Sequence, residues 1–169
     1  MEFTCSVPSP LGEITLCSDG AALTGLYFDA GDRFPPALFP ECADLPVFRE
    51  AEKWLAVYFS GRDPGFTPAL RLIGTPFRRR VWELLLTIPY GRTATYGEIA
   101  REIARERGIP VMAAQAVGGA VGANPVSLIV PCHRVIGSGG KLTGYGGGLW
   151  RKTALLEAEE AGKSAGRTE

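Results

Sequence analysis

The chain has 169 residues, of which 46% are hydrophobic and 21% charged, a composition that suits one compact unit or two small lobes around an apolar core. Its formal net charge is zero. No run approaches the ~18 consecutive apolar residues of a membrane helix, and the N-terminus shows no basic segment followed by an apolar one, so we expect neither a membrane span nor a secretory signal.

The first 70 residues have the pattern of a small antiparallel sheet followed by one helix. Three β-rich runs separated by turn residues cover 3–7, 13–18 and 21–28. Asp19-Gly20 between the last two is a strong hairpin signal. The proline-rich stretch 30–46 is expected to be irregular, and residues 47–59 place apolar side chains at helical spacing. Nothing in this part of the sequence indicates chemistry.

The following sequence is predicted to be mainly helical. Thr75 followed by Pro76 indicates the start of a helix over 77–87. Thr95 and Glu98 form a capping box, because the threonine side chain can accept from the backbone of the glutamate while the glutamate reaches back. A helix is predicted from this box to about residue 107.

A second helix behind a glycine-containing connection gives the outline of a helix-turn-helix. Gly108 breaks the preceding helix, and Pro110 is predicted to start another that ends at Gly122. This outline is typical of DNA-binding proteins, but helical hairpins without a DNA partner are also common.

The second of these helices carries almost only small residues, with the sequence MAAQAVGGA from Met112 to Ala120. A helix that reads the major groove would be expected to present Arg, Asn, Gln or Lys to base edges. A helix of Ala and Gly can instead approach the DNA backbone closely or enter a narrow groove. Close packing inside the core is the alternative, and the pattern does not decide between the two.

Charge is divided unevenly along the chain. Residues 1–70 carry ten acids and four bases, a net charge of −6, whereas residues 71–169 carry eight acids and fourteen bases, a net charge of +6. Because the local potential matters more than the sum, this division fits an acidic lobe beside a basic, DNA-facing one. An ordinary uneven surface fits it as well.

The segment most indicative of chemistry is PCHRV at 131–135, which follows an apolar run, 126–130, that we expect to be buried and extended. The single histidine of the chain, His133, stands beside Cys132. A thiol has a free pKa near ~8.5 and becomes nucleophilic when a neighbouring base or cation lowers it. Adjacent residues of an extended segment point to opposite faces, so an interaction between these two needs a tight turn or a bridging water.

Three other interpretations of Cys132 stay open on the residues alone: a buried structural cysteine, a metal ligand, and the nucleophile of a Cys-His hydrolase. One histidine and three distant cysteines match no recognised zinc spacing. The four cysteines, at 5, 17, 42 and 132, include no close pair. A reduced protein of the cytoplasm therefore fits better than a disulfide framework.

Further motifs flank this segment: AVGGA at 116–120 and Asn124-Pro125 before it, then LTGYGGG at 142–148 and a stretch from Lys152 to Glu159 after it. Together, over about 75–161, they resemble the O6-alkylguanine-DNA alkyltransferase family, also called the methylated-DNA–protein-cysteine methyltransferases. The first 70 residues are similar to that family only in length and pattern.

The pattern and the resemblance predict an α+β fold of two lobes. A small N-terminal α/β lobe with an antiparallel sheet is expected over 1–72. A mainly helical C-terminal lobe, with the helix-turn-helix and the active site, is expected over 73–162, and a flexible tail over 163–169.

The resemblance implies a DNA repair protein that irreversibly transfers the alkyl group of O6-alkylguanine in DNA to its own Cys132. One turnover is expected, because nothing would hydrolyse the thioether product. The implied partner is double-stranded DNA containing O6-alkylguanine, with no cofactor, metal or membrane, and the protein is expected to be a monomer. The second hypothesis is a non-enzymatic helix-turn-helix protein that binds alkylated DNA without repair. The cysteine at the acceptor position argues against it, because lesion binders of this type lack the acceptor.

The resemblance also implies catalytic roles. Cys132 would accept the alkyl group, ionised through a water held by His133, with Glu159 orienting that histidine. Tyr96 would hydrogen-bond the guanine ring and help protonate the leaving base, which must first be flipped out of the duplex.

Substrate and DNA contacts are implied in the same way. Asn124 would organise the turn before the nucleophile, and the backbone at Cys132 and Val135 would hold the exocyclic amine of the base. The pocket wall would be formed by Tyr145, Gly146 and Gly147. The minor groove would receive Ala113, Ala114, Gln115, Ala116 and Gly118.

The chain departs from the family pattern at three points. Gln115 stands where many members have the arginine that fills the gap left by the flipped nucleotide, and glutamine brings no positive charge. A short insertion lies around 105–110. The zinc site known in the N-terminal lobe of some relatives uses histidines that are absent from this sequence.

Overall fold

The structure, a computed structural model, describes residues 2–28 and 44–166, with side chains as far as residue 163. These residues form two compact units. The first contains the described residues up to Ile73, together with Pro125–Ser127 and the chain from Ala161; the second contains Gly74–Asn124 and Leu128–Glu160. The lobe boundaries drawn from the sequence, 72/73 and 162/163, stay predictions.

The first unit contains a three-stranded antiparallel sheet, as predicted, in the order β1-β2-β3. The strands are β1 (Phe3–Val7), β2 (Ile14–Ser18) and β3 (Leu23–Phe28). The turn between β2 and β3 is fixed by Asp19, whose carboxylate accepts from the backbone N–H groups of Ala21 and Ala22, each at 2.9 Å. Gly20 in this turn has φ 103°, a conformation that favours glycine.

One helix, α1 (Pro46–Phe59), follows the sheet, within one residue of the predicted 47–59. The buried residues of its apolar face include Phe48, Ala51, Trp54 and Leu55. Of the stretch predicted to be irregular, residues 30–43 lie outside the described residues. In the described parts of the chain, no helix is long and apolar enough to cross a membrane.

The second unit is mainly helical, so the predicted α+β class is confirmed. Its helices are α2 (Pro76–Leu85), α3 (Tyr96–Arg107), α4 (Ala114–Gly122) and α5 (Leu149–Gly166). The last helix, α5, runs four residues into the segment predicted as a tail, and residues 167–169 lie outside the described ones. A short parallel pair, β4 (Ala94–Thr95) with β5 (Val135–Ile136), was not predicted from the sequence.

Local capping signals set the start of two helices. The Thr75 hydroxyl accepts from the backbone of Arg78 at 3.2 Å and begins α2. At the start of α3 both bonds of the predicted capping box form: Glu98 N donates to the Thr95 hydroxyl at 3.0 Å, and Thr95 N donates to the Glu98 carboxylate at 3.1 Å. Tyr96, the first residue of α3, therefore lies on a well-fixed helix end.

The predicted start of the second helix of the helix-turn-helix was wrong. Gly108 ends α3 in the left-handed conformation, with φ 64°, as its position predicted. However, α4 begins at Ala114 and not at Pro110, so the connection spans 108–113. A proline suits the first turn of a helix but does not start a helix by itself, and no capping side chain precedes Pro110. The N-cap of α4 is Ala113, which has no side chain that can cap.

The helix α4 has one buried and one exposed face. Val117, Ala120 and Val121 are buried, and the indole N–H of Trp82 on α2 donates to the carbonyl of Ala120 at 2.8 Å. The residues of its N-terminal end, 113–116, are exposed. The small side chains are therefore not all used for packing, and one exposed small-residue surface is left.

The apolar run 126–130 is largely buried but is not the continuous extended segment that was predicted. Val126 forms an isolated bridge with Leu26, and Leu128 adopts φ 73°. Left-handed backbone costs a leucine roughly 1–2 kcal/mol. Its side chain is fully buried, and burial of a leucine contributes about 1.5–3 kcal/mol, which offsets that cost.

Candidate active site and small-residue helix

Cys132, His133 and Arg134 form a single 3-10 turn. Its closing hydrogen bond runs from Arg134 N to Pro131 O at 3.0 Å, and the three side chains are buried. The backbone thus makes a tight turn where an extended segment would have sent the cysteine and histidine to opposite faces. This turn is one of the two arrangements that the sequence left open.

The carboxylate of Glu159, on α5, is the centre of a buried hydrogen-bond network. His133 Nε2 lies 2.5 Å from Oε2. Arg134 donates from Nε to Oε1 at 2.8 Å and from Nη2 to Oε2 at 3.2 Å, and the backbone N–H of Gly91 donates to Oε1 at 3.1 Å. The same arginine also donates from Nη1 to the carbonyl of Ile88 at 2.7 Å. The carboxylate is therefore held from three directions.

Charge within this network favours an ionised glutamate beside a neutral histidine. Burial raises the pKa of Glu159, but the hydrogen bonds from His133 and Arg134 and the charge of Arg134 outweigh it and lower the pKa to about 2. Burial lowers the pKa of His133, against the opposing effect of the carboxylate. At pH 7 the imidazole is then neutral, with its proton on Nε2 toward Glu159.

This tautomer leaves Nδ1 of His133 as a hydrogen-bond acceptor. The atom is buried and has no hydrogen-bond partner among the described residues. A buried, unprotonated ring nitrogen one residue from a cysteine has the chemistry of a general base.

Lys152 and Arg134 lie in the site, although neither residue was assigned a role from the sequence. The Lys152 side chain is fully buried, and its ammonium donates to Val135 O at 2.6 Å and to Thr143 O at 3.3 Å. Burial lowers the pKa of this lysine, and the charge of Cys132 acts in the opposite direction. Helical periodicity could have indicated Lys152 as a site residue, because Lys152 and Glu159 are seven residues apart and share one face of α5.

The other predicted side chains are distributed around this centre. Asn124 is buried and donates from Nδ2 to Val130 O at 2.8 Å, which closes the loop before the cysteine. The hydroxyl of Tyr96 lies 2.7 Å from that of Thr143. Burial raises the pKa of Tyr145 well above its ordinary value, and its hydroxyl has no hydrogen-bond partner in the described parts of the chain.

The two predicted loop glycines precede α5. Gly147 O accepts from Arg151 Nη1 at 2.8 Å, whereas Gly146 is exposed. The roles of these site residues stay predictions.

The predicted DNA-contacting residues lie on α4 or, for Ala113, at its N-cap. Ala113, Ala114, Gln115 and Ala116 are exposed at its N-terminal end. Gly118 lies beside the ring of Tyr96, since a Cβ built on it would be 3.8 Å from that ring. One end of the exposed surface of α4 therefore adjoins a predicted catalytic residue.

Several of the bases that give the second half its positive charge are engaged within the protein. Arg80 pairs with Glu106 and Glu83, and Arg105 pairs with Glu102. These acids are already subtracted in the net charge of +6, so the excess positive charge comes from the other bases of residues 71–169.

In the described residues, no group of three or more His, Cys, Asp or Glu side chains is arranged to hold a metal ion. The thiols of Cys5, Cys17 and Cys132 are not joined in disulfides, and Cys42 lies outside the described residues. The expectation of a metal-free protein stays a prediction.

Comparison with known proteins agrees with this geometry. Two family models match the chain. The one for the DNA binding domain of 6-O-methylguanine DNA methyltransferase matches residues 76–161, and the one for the ribonuclease-like domain of the same proteins matches residues 5–72. The methylated-DNA–protein-cysteine methyltransferase of Mycobacterium tuberculosis H37Rv is 49% identical over 156 residues, which are 92% of this chain and 91% of that protein. The corresponding protein of Mycobacterium leprae is 46% identical over 155 residues, 92% of this chain and 90% of that one.

A solved structure is also similar. The crystal structure of Mycobacterium tuberculosis OGT in complex with DNA has a TM-score of 0.80 at 45% identity, and the match covers 95% of this chain and 94% of that one. The resemblance inferred from the sequence is thereby confirmed, and it extends into the N-terminal part, where the pattern was weak. The chain belongs to the 6-O-methylguanine DNA methyltransferase family, the methylated-DNA–protein-cysteine methyltransferases.

Proposed function

We propose that Cys132 is the residue on which this chain carries out the reaction of its family, the repair of alkylated DNA by transfer of the alkyl group to a protein cysteine. The observation that carries the assignment is the buried Cys132 beside His133, whose Nε2 is hydrogen-bonded to the ionised Glu159. The thiolate sulfur attacks the alkyl carbon, the carbon–O6 bond breaks, and its electron pair moves onto the purine. The product is a thioether, so each molecule acts once.

Activation of the thiol follows from the tautomer of His133. Nδ1 takes the thiol proton, and by resemblance to the family it does so through a bridging water. Glu159 keeps the opposite nitrogen protonated and stabilises the imidazolium that forms, which is the role of the acid in a hydrolytic triad. Arg134 holds that acid in place through two hydrogen bonds.

The base is held by groups around the cysteine. Tyr96 donates to the purine ring, and the carbonyl of Val135 accepts from the exocyclic amine. That carbonyl already accepts from Lys152, but a carbonyl oxygen has two lone pairs and can accept twice. Tyr145, Gly146 and Gly147 form the wall that receives the base and its alkyl group.

The small-residue surface of α4 is proposed to enter the minor groove of double-stranded DNA. Flipping of the damaged nucleotide needs close approach to the duplex but little sequence reading, and short side chains permit that approach. The N-terminus of α4 has no capping side chain, so its first backbone N–H groups can donate to phosphate. We place the reaction in the cytoplasm, where the acceptor thiol stays reduced.

The test of this function is intact-protein mass spectrometry after mixing with duplex DNA that contains O6-methylguanine. We expect each molecule to gain one methyl group, located on the peptide that contains Cys132, and then to be inert toward fresh substrate. Release of repaired DNA beyond one equivalent would contradict a single-turnover reaction. Repeated cleavage of an ester substrate would indicate a hydrolase instead.

We expect Gln115→Arg to tighten DNA binding. Gln115 is exposed on the surface of α4 proposed to face DNA, at the family position that fills the gap left by the flipped nucleotide. Arginine there adds a planar group that stacks on bases and a cation near phosphates. The slope of log affinity against log salt should steepen by up to about one unit, as for one added phosphate contact.

The control for this position is the free base O6-benzylguanine, which needs no flipping. Gln115→Ala should slow repair of duplex DNA but leave the reaction with the free base unchanged. Equal slowing of both substrates would mean that Gln115 supports the pocket, and α4 would lose its assignment to the minor groove.

A further inference from the structure

We propose that Thr143 positions the hydroxyl of Tyr96 for its hydrogen bond to the flipped base, an inference that rests on the proposed function. The two hydroxyl oxygens lie 2.7 Å apart, although the residues are 47 positions apart in sequence. Thr143 lies in the segment before α5, and Tyr96 opens the helix-turn-helix. Their hydrogen bond joins the loop proposed to receive the base to the helix that supplies the donor.

Tyr96 is fixed at its backbone and ring but not at its hydroxyl hydrogen. The capping box of Thr95 and Glu98 holds the end of α3. The ring lies along Gly118 of α4. Rotation about the bond between the ring and the oxygen is the remaining freedom, and a hydroxyl hydrogen turns to suit its partners. A neighbour that accepts from or donates to this oxygen therefore decides where the hydrogen points.

Thr143 is itself held by buried groups. Its carbonyl accepts from the ammonium of Lys152, which is fully buried and also donates to Val135 O. Its methyl group lies near Gly137, since a Cβ built there would be 3.4 Å from Cγ2. The Thr143 hydroxyl is thus presented by a supported backbone, as a residue that positions another must be.

The direction of the hydrogen bond follows from what the base requires. Each hydroxyl has one hydrogen and two lone pairs. When the purine takes the hydrogen of Tyr96, the remaining partner must be the donor, so Thr143 donates to the phenolic oxygen. As the sulfur–carbon bond forms and the carbon–O6 electron pair moves onto the purine, Tyr96 donates more strongly. The hydrogen from Thr143 then stabilises the charge that develops on the phenolic oxygen.

Thr143→Val removes the hydroxyl and keeps the shape of the side chain. We expect it to slow methylation of Cys132 by roughly threefold to tenfold, the range for one neutral hydrogen bond, with both duplex DNA and O6-benzylguanine. Thr143→Ser should restore most of the rate. Thr93→Val, which removes an exposed hydroxyl in the same unit, should leave the rate unchanged. Thermal unfolding of each variant shows whether the fold is intact.

The double substitution separates positioning from mere structural support. In a Tyr96→Phe background, Thr143→Val should cause no further slowing, because the hydroxyl through which it acts is already gone. Two outcomes would overturn the role of Thr143 while the acceptor role of Cys132 stands. One is that Thr143→Val slows the reaction equally with Tyr96 intact and in the Tyr96→Phe background. The other is that Thr143→Val does not slow the reaction when Tyr96 is intact. An unsubstituted protein that transfers no alkyl group would overturn the proposed function and this inference together.

Discussion

Cys132→Ala is expected to abolish alkyl transfer while leaving the affinity for DNA largely unchanged. Alanine removes the sulfur that forms the new bond, and no other nucleophile within the described site replaces it. The side chain is 7% exposed and small, so its truncation removes little buried surface and leaves the exposed surface of α4 as it is. The measurement is methyl gain by intact-protein mass spectrometry, beside a binding titration with duplex DNA.

Cys5→Ala is the matched control for this experiment. Cys5 is also a buried cysteine, 3% exposed, but it lies on β1 in the first unit and has no part in the proposed chemistry. This variant should still gain one methyl group per molecule. Transfer that persists in Cys132→Ala, or that disappears in Cys5→Ala, would show that the acceptor has been misassigned.

Glu159→Gln is expected to slow alkylation of Cys132 by more than tenfold. General acid–base catalysis contributes about 100-fold at the lower end of its range, and this value sets the scale of the expected loss. Glutamine keeps the shape of the side chain but cannot stabilise the imidazolium of His133, and its amide leaves Arg134 as a buried charge without its anion. The readout is the rate of iodoacetamide reaction with Cys132 as a function of pH. The titration of the thiol should move to higher pH in Glu159→Gln and in His133→Ala.

An unchanged titration in both variants would show that another group, such as the buried Lys152, activates the thiol.

The ionisation of Glu159 can be followed through the stability of Glu159→Gln. Its pKa in the folded protein, about 2, lies below the ordinary 4.5, so its contribution is present above pH 4.5 and is lost as pH falls toward 2. This contribution is about 3 kcal/mol, and the pH dependence of unfolding in that range should be weaker in Glu159→Gln.

The features predicted correctly from the sequence are those whose cause lies within a few residues. The hairpin at Asp19-Gly20 and the capping box of Thr95 and Glu98 are local hydrogen-bond patterns, so the residues that form them are visible together. The start of α4 was misplaced because Pro110 is compatible with a helix start but does not produce one.

The features that the sequence did not predict depend on contacts between distant residues. Arg134 and Glu159 are 25 positions apart, and Lys152 and Val135 are 17 apart, so nothing local indicates that they meet. The left-handed backbone of Leu128 depends on burial of its side chain, which periodicity does not show. The family resemblance supplied the roles of Cys132 and Glu159, whereas the supporting side chains came from the structure.

The hydrogen bond from Asn124 to Val130 O has a consequence for chemical ageing. Asparagine usually deamidates when the next backbone nitrogen attacks its side-chain carbonyl, and here the next residue is Pro125, whose nitrogen carries no hydrogen. The amide is also buried and engaged, so it is kept from water. A protein that reacts once must stay intact until it meets its lesion, and the residue that closes the loop before Cys132 is protected from the commonest spontaneous damage to asparagine.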